Sequence, residues 1–164
     1  MPWKNGGGTT LEIARDANEP PHWRLSVATI AQSGPFSEFP GYDRSIAAIG
    51  GGPVTLSVDA RALPLRPNEP HAFRGESSAH AVLAGSPARD FNVMTLRAHA
   101  THVVQYVDLA AHARLAVPAN ERAFIYVPGG DTLVIDGPCD LDLAPELGLV
   151  QAFVVRIRQE PPRS

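Results

Sequence analysis

The chain is short of the features that most readily announce a function. Its 164 residues hold one cysteine, Cys139. That excludes an intramolecular disulfide and agrees with a reducing cytoplasm, where we expect the protein to reside. Neither sign of charge dominates: 14 Lys and Arg face 17 Asp and Glu, for a net charge of −3. Without a basic excess, nucleic acid is not expected as a partner. No apolar run approaches the roughly 20 residues that span a bilayer as a helix, so no membrane partner is expected. Lys4 and three glycines stand where the apolar segment of a signal peptide would lie. Helix-forming stretches are scarce as well. Residues 110–115, AAHARL, have a helical composition but are few and stop ahead of Pro118.

What the chain does have is breakers. Sixteen prolines and fourteen glycines punctuate short apolar runs, the pattern of an all-β sandwich or barrel. The densest stretch covers residues 2–41. Gly6, Gly7 and Gly8 follow Trp3 and Asn5, and a triple glycine marks a tight crossing or an exposed ring of backbone N–H groups. A strand-like run over residues 10–14 comes next, then a stronger one, WRLSVATI, at Trp23–Ile30. Two punctuated turns follow, SGPFS and FPG, with Phe36 and Phe39 between them. Polar and aromatic residues this dense, on backbone pinned by glycine, suit a small-molecule site.

Four motifs in order carry a family resemblance: WKNGGGTT-x-EI, WR-x-S-x-A, GPFS-x-FPG-x-x-R and DFNVM-x-x-R. They resemble the HutD/Ves family from Pro2 to Arg97, and the likeness fades beyond. The resemblance implies a bicupin fold, two cupin-like antiparallel β-barrels or sandwiches in one compact chain, and an association with bacterial histidine utilisation. Residues 1–98 would form the half that carries the motifs, and residues 99–164 a more degenerate half. Members of the family commonly carry a segment ahead of the Trp-Lys-Asn motif. Here Met1 and Pro2 alone precede it, so either a first edge strand is missing or the start codon is late.

The strand at Trp23–Ile30 has two faces. Trp23, Leu25, Val27 and Thr29 form an apolar one, expected in a core. Arg24, Ser26, Ala28 and Ile30 form the other. Pattern alone favours a solvated outer surface for this second face, whereas the family resemblance favours a barrel lumen. There Arg24 would bind a carboxylate and Ser26 would hydrogen-bond it. Phe36 and Phe39 would plug a barrel end or wall a pocket. Arg44 is a second carboxylate partner, or else half of a surface ion pair with Asp43 or Glu38. On residues 90–97, Asp90, Asn92, Met94 and Leu96 share a face. Asn92 and Met94 suit a pocket wall, and a core strand with one satisfied asparagine is the alternative. The family often has two arginines where this chain has Leu96 and Arg97, which leaves the role of Arg97 open. The resulting ligand-binding set is Trp3, Asn5, Gly7, Thr10, Arg24, Ser26, Phe39, Arg44, Asn92 and Met94.

A metal-binding cupin is expected to offer His-x-His with a glutamate close behind and a further histidine downstream. His71 has Phe73 in the second place, and Glu76, His80 and His99 do not restore the spacing. His99 and His102, three apart in a strand context, point to opposite faces. We therefore expect no metal and no cofactor.

Several connections are also expected from the sequence. Residues 46–49 and 54–58 read as a hairpin around Gly50-Gly51-Gly52-Pro53, and no lysine or helix start makes that turn a phosphate loop. Residues 61–68, with Pro64 and Pro67, read as a loop. In the second half, strands are expected over residues 102–107, 115–117, 122–127, 132–135 and 149–157. Asp136, Asp140, Asp142 and Glu146 read as solvated turn residues lacking a calcium-loop pattern. Cys139, with no catalytic histidine near it in sequence, reads as a bystander.

Three classes of function fit these features. The first is a regulatory protein that binds a small anionic molecule. For this class the resemblance points to an intermediate of histidine breakdown such as N-formylglutamate or urocanate. The second is a metal-independent enzyme, an isomerase or amidohydrolase acting on a small acid, with Glu12, Arg24, Ser26 and Asn92 as candidate groups. The third is a structural or interaction module. An exposed sheet edge makes a homodimer a further expectation.

Overall fold

The structure is a computed structural model that describes residues 1–3, 6–109, 113–143 and 149–160. Among them every regular element is a strand, as the breaker-rich sequence predicts. The first compact unit, Met1–Ala98, contains β1 (Gly8–Arg15), β2 (Trp23–Ile30), β3 (Gly34–Pro35), β4 (Tyr42–Gly51), β5 (Val54–Val58), β6 (Arg61–Pro64), β7 (His71–Arg74), β8 (Ala79–Leu83) and β9 (Ala88–Leu96). The second unit, His99–Ser164, contains β10 (Ala100–Leu109), β11 (Ala113–Val117), β12 (Glu121–Tyr126), β13 (Thr132–Asp136), β14 (Cys139–Leu143) and β15 (Val150–Gln159).

In the first unit a five-stranded sheet runs β1-β2-β9-β4-β7 and a four-stranded sheet runs β3-β8-β5-β6. Ile30, Ile46, Ala48 and Ala88 of the first sheet and Val54, Leu56, Ala79 and Ala81 of the second share one buried apolar cluster. The two sheets therefore face each other across an interior. The other face of the five-stranded sheet, with Trp23, Leu25, Val27, Phe91, Val93 and Thr95, is buried too. Strands buried on both faces explain why β2 and β9 carry apolar residues on each side rather than a clean apolar/polar alternation.

The hairpin expected over residues 46–58 does not form. β4 pairs with β7 and β9, whereas β5 pairs with β6 and β8, so Gly50, Gly51 and Gly52 carry the chain from one sheet to the other. Gly51 has φ +81°, and a Cβ there would collide with the Pro87 carbonyl oxygen. A tight corner against another chain segment is what the glycines supply, rather than a two-strand turn. Residues 61–68 are not wholly loop, since Arg61–Pro64 pairs with β5 as an edge strand, where a missing proline N–H costs no ladder bond.

The second unit has sheets β10-β15-β12-β13 and β11-β14. Leu115, Val117, Ala123, Ile125, Ile135, Ala152 and Val154 form its own cluster, with Cys139, Leu141 and Leu143 packed on it. The acidic residues near 140 are thus not all turn residues. Cys139-Asp140-Leu141-Asp142-Leu143 alternates as β14, apolar side inward. Glu146 and residues 110–112 lie outside the described residues.

Candidate functional site

Cross-strand register in the five-stranded sheet places directly paired residues on one face. On the face toward the second sheet of the first unit, three rows follow. The first is Arg24, Met94, Arg44 and Phe73; the next is Glu12, Ser26, Asn92, Ile46 and His71; the third is Thr10, Ala28, Asp90 and Ala48. Arg24, Ser26, Arg44, Asn92 and Met94 of the expected set are therefore lumen neighbours. Arg44 is 6% exposed, and Ser26, Asn92 and Met94 are buried as well. The solvated-face reading of β2 does not hold, and neither does the surface ion pair considered for Arg44. Asp43 is paired with Arg97 instead, at 2.8 Å.

Arg44 sits at the centre of an aromatic cage. Its guanidinium carbon lies 4.8 Å from the ring centre of Phe73, 5.4 Å from Phe39 and 5.7 Å from Phe36. Each such contact, desolvated, contributes up to about 2 kcal/mol. Nη2 donates to Asn92 Oδ1 at 3.1 Å and Nη1 donates to the Ser37 carbonyl at 3.4 Å. Nε, fully buried, donates to nothing. Burial lowers the Arg44 pKa to about 10, against the opposing pull of Asp90 and with some help from Arg24, so the cation persists at neutral pH.

Loop geometry explains how the cage forms. The Phe39 N–H donates to the Gly75 carbonyl and the Gly75 N–H to the Tyr42 carbonyl, each at 2.7 Å. A Cβ on Gly75 would strike the Phe39 carbonyl oxygen. This close backbone approach fixes residues 36–41 over the ends of β4 and β7. Trp3 stacks edge-on to Phe36 at 5.8 Å and donates from Nε1 to Thr10 Oγ1 at 2.8 Å.

Asp90 is the residue that sequence reading did not single out. It is 1% exposed, and Asn92 Nδ2 donates to its Oδ1. Its Oδ2 is buried without a hydrogen-bond partner. Burial pushes its carboxyl up to about 7, with Arg44 acting to lower it. The available signal was its spacing: Asp90, Asn92 and Met94 stand at i, i+2 and i+4, so an aspartate had to share the pocket face with the asparagine. Asn92 thus links a cation to a carboxyl, its oxygen toward Arg44 and its nitrogen toward Asp90.

Arg24 Nε stands 3.1 Å from Glu12 Oε2, but its N–H is not aimed at that oxygen and makes no hydrogen bond. His71 Nε2 is a further buried atom with no partner. Asp90, Arg44, Arg24 and His71 therefore all present unsatisfied polar atoms on one sheet face. Native interiors seldom leave such atoms unpaired. Two clefts open beside β6 and β7. One, of about 480 Å³, is lined by Val58, Asp59, Arg61, Leu63, Ala72 and Phe73. The other, of about 310 Å³, is lined by Leu63, Pro64, Arg66, Glu69 and His71. Phe73 lines the first of these clefts and His71 the second.

The glycine triplet is used by the chain itself. The Gly6 N–H donates to the Trp3 carbonyl, and the Gly7 carbonyl accepts from Ala31 and Gln32. Gly8 packs so closely on Thr29 that a Cβ would strike its carbonyl oxygen. Asn5 lies outside the described residues. Arg97 belongs to no lumen row: it clasps the Tyr42 carbonyl, Asp43 and Glu76. Among the described residues, no group of three or more His, Cys, Asp or Glu is placed to hold a metal, and no helix is long and apolar enough to cross a membrane.

Fold and lumen together define an all-β, bicupin protein with an arginine-bearing polar interior in its first unit. The chain belongs to the HutD family, whose model matches residues 1–152, a family associated with histidine utilisation. It is similar to HutD from Pseudomonas fluorescens SBW25, solved in a formate condition, at 34% identity and a TM-score of 0.83. That match covers 98% of this chain and 94% of the other. A conserved protein of unknown function from Pseudomonas aeruginosa PAO1 matches at 30% identity and a TM-score of 0.81, covering 98% of this chain and 92% of that one. A 21.2 kDa protein from the hutC 3' region of Pseudomonas putida is 48% identical over 98 residues, 57% of this chain and 52% of its own length. Protein Ves of Citrobacter koseri is 40% identical over 110 residues, 65% of this chain and 58% of its own. The matches thus span little more than half the length of these curated relatives.

Proposed function

We propose that this chain is a small-carboxylate-binding protein of bacterial histidine utilisation, acting in the cytoplasm as a regulator that senses a pathway intermediate such as N-formylglutamate or urocanate. One observation carries the reading: the Arg44 guanidinium is desolvated, caged by three phenylalanines and left with an unused Nε–H. A buried cation held in this way is prepared for an anion. Arg24 adds a second such N–H on the same face. Asn92 adds an amide suited to a formyl or carboxylate oxygen, and the cage phenylalanines suit a planar apolar body. The formate condition reported for the Pseudomonas fluorescens relative makes formate a sensible minimal probe.

Thermal unfolding with urocanate, N-formylglutamate and formate tests it. Ligand at 100 times Kd stabilises by about 2.7 kcal/mol, so a saturable rise of several degrees is expected, and Arg44→Met should abolish it. A well-folded sample indifferent to all three at 10 mM would reject the reading. A second reading, a metal-independent isomerase or amidohydrolase, draws on Asp90. A buried carboxyl raised to about 7 has the basicity of a general base at neutral pH. Turnover of the same acids followed by NMR separates the two, and binding without turnover favours the regulator.

A further inference from the structure

We infer that the lumen takes up a monocarboxylate together with one proton, and that Asp90 holds the proton. The inference rests on the carboxylate-binding reading above and specifies what such a site admits. It begins from the charges that line the lumen. Arg44 on β4 and Arg24 on β2 are the cations. Asp90 on β9 and Glu12 on β1 are the carboxylates, and His71 on β7 is the remaining titratable group. Arg15, at the outer end of the same face, is paired with Glu19 at 3.1 Å. The facing sheet contributes Val54, Leu56, Ala79 and Ala81, none of them charged. The loop over the cage contributes Glu38, which is exposed.

Two cations already balance two carboxylates. An added anion leaves the lumen one charge negative, and a buried uncompensated charge costs several kcal/mol. A proton from solvent removes that cost, and the geometry selects Asp90 as its place. Asp90 is 1% exposed, whereas the Glu12 side chain is 36% exposed and screened by water. Asp90 Oδ1 is occupied by Asn92, while Oδ2 has no partner. Protonated there, it donates an O–H to the ligand carboxylate, which also accepts from the free Nε–H of Arg44. No covalent bond other than that O–H forms or breaks. The position of the Asp90 carboxyl near 7 makes the exchange accessible close to neutrality. A dicarboxylate brings a second charge that this lumen has no second buried carboxyl to offset, so monocarboxylates are preferred.

Calorimetry decides it. Urocanate, acrylate as its imidazole-free counterpart, and N-formylglutamate are titrated at pH 8 in phosphate and in Tris, whose ionisation enthalpies differ. The expected result is uptake of close to one proton per urocanate or acrylate. Affinity should fall about tenfold for each pH unit above 7, the change one titrating group gives. N-formylglutamate, whose second carboxylate finds no proton-holding partner in the lumen, should bind at least about tenfold more weakly than urocanate at pH 8, because its extra charge stays uncompensated. Asp90→Asn keeps the Asn92 bond and should remove both proton uptake and pH dependence, and His71→Ala should keep them. Should Asp90→Asn not fold, difference infrared spectra of the wild type serve instead: ligand should bring in a protonated-carboxyl band. Binding without proton uptake, uptake that survives Asp90→Asn, or tighter binding of the dicarboxylate each overturns the inference while leaving the carboxylate site standing. Failure of all three ligands at both pH 6 and pH 8 overturns the carboxylate reading and the inference together.

Discussion

At the scale of single residues, Arg44 and Asp90 stand or fall together. Arg44 is desolvated but still charged, and Asp90 is the carboxyl that offsets it. Removing one member of such a pair leaves the other uncompensated, at a typical cost of about 3–5 kcal/mol. Arg44→Met is therefore expected to destabilise by about 3 kcal/mol at pH 8 and by less at pH 5, where Asp90 is neutral and has no charge to strand. Urea unfolding at the two pH values measures it, and an equal loss at both would show that the arginine contributes packing alone. Adding Asp90→Leu to that variant should recover part of the pH 8 loss, a coupling read from the double-mutant cycle. The sequence showed half of this pair. Arg44 was legible because it closes a motif of glycine, proline and phenylalanine. Asp90 shared a face with Asn92 in the local pattern, but its burial was not legible, because that depends on β2 and β4 flanking it from distant parts of the chain.

At the scale of elements, glycine positions decide which sheet a strand joins. Gly51 has φ +81° and backs onto the Pro87 carbonyl, so Gly51→Ala combines backbone strain with a collision. A loss of about 2–3 kcal/mol is expected, a drop of several degrees in Tm. Gly75→Ala should cost a similar amount and, by pushing residues 36–41 off Arg44, weaken ligand binding as well. Gly34, with no neighbour within 4 Å of a Cβ and no positive φ, is the control, and Gly34→Ala should change Tm by less than a degree or so. A Gly51→Ala protein as stable as the Gly34→Ala protein would contradict the corner assigned to Gly50–Gly52. Strand existence was legible from local pattern: β2 and β5 fall where alternation and punctuation place them. Pairing was not. Residues 46–49 and 54–58 are neighbours in sequence with a glycine turn between them, so a hairpin was the local expectation. β9 and β7 occupy both edges of β4, pairings distant in sequence that leave β5 no edge to join. β14 escaped notice for a different reason: its two aspartates alternate outward over an apolar inner face, and charge density hid the period of two.

At the scale of the whole molecule, one buried carboxyl should shape the stability of the chain against pH. Asp90 holds its proton in the folded state up to about 7, whereas in the unfolded chain it ionises near its ordinary value of 3.8. Between those two values the folded protein binds more protons than the unfolded one. Stability contributed by this group is therefore complete below about pH 4 and declines as pH rises toward 7, with a slope of up to about 1.4 kcal/mol per unit. Glu121 acts in the opposite sense: held below the ordinary carboxylate range by hydrogen bonds from Arg158 and Arg156, it loses its contribution as pH falls. The two trends offset each other in the wild type, so the wild-type curve alone tests neither. The difference between the wild type and Asp90→Asn isolates the one group, because the amide cannot ionise. That difference should favour Asp90→Asn increasingly from pH 4 to pH 7 and level off above, reaching a few kcal/mol. Chemical denaturation at half-unit steps follows it, and a difference independent of pH would mean that Asp90 titrates alike in the folded and unfolded states. A monocarboxylate that binds with a proton should lift the wild-type curve most on the acidic side of neutrality, linking the stability of the fold to the occupancy of its lumen.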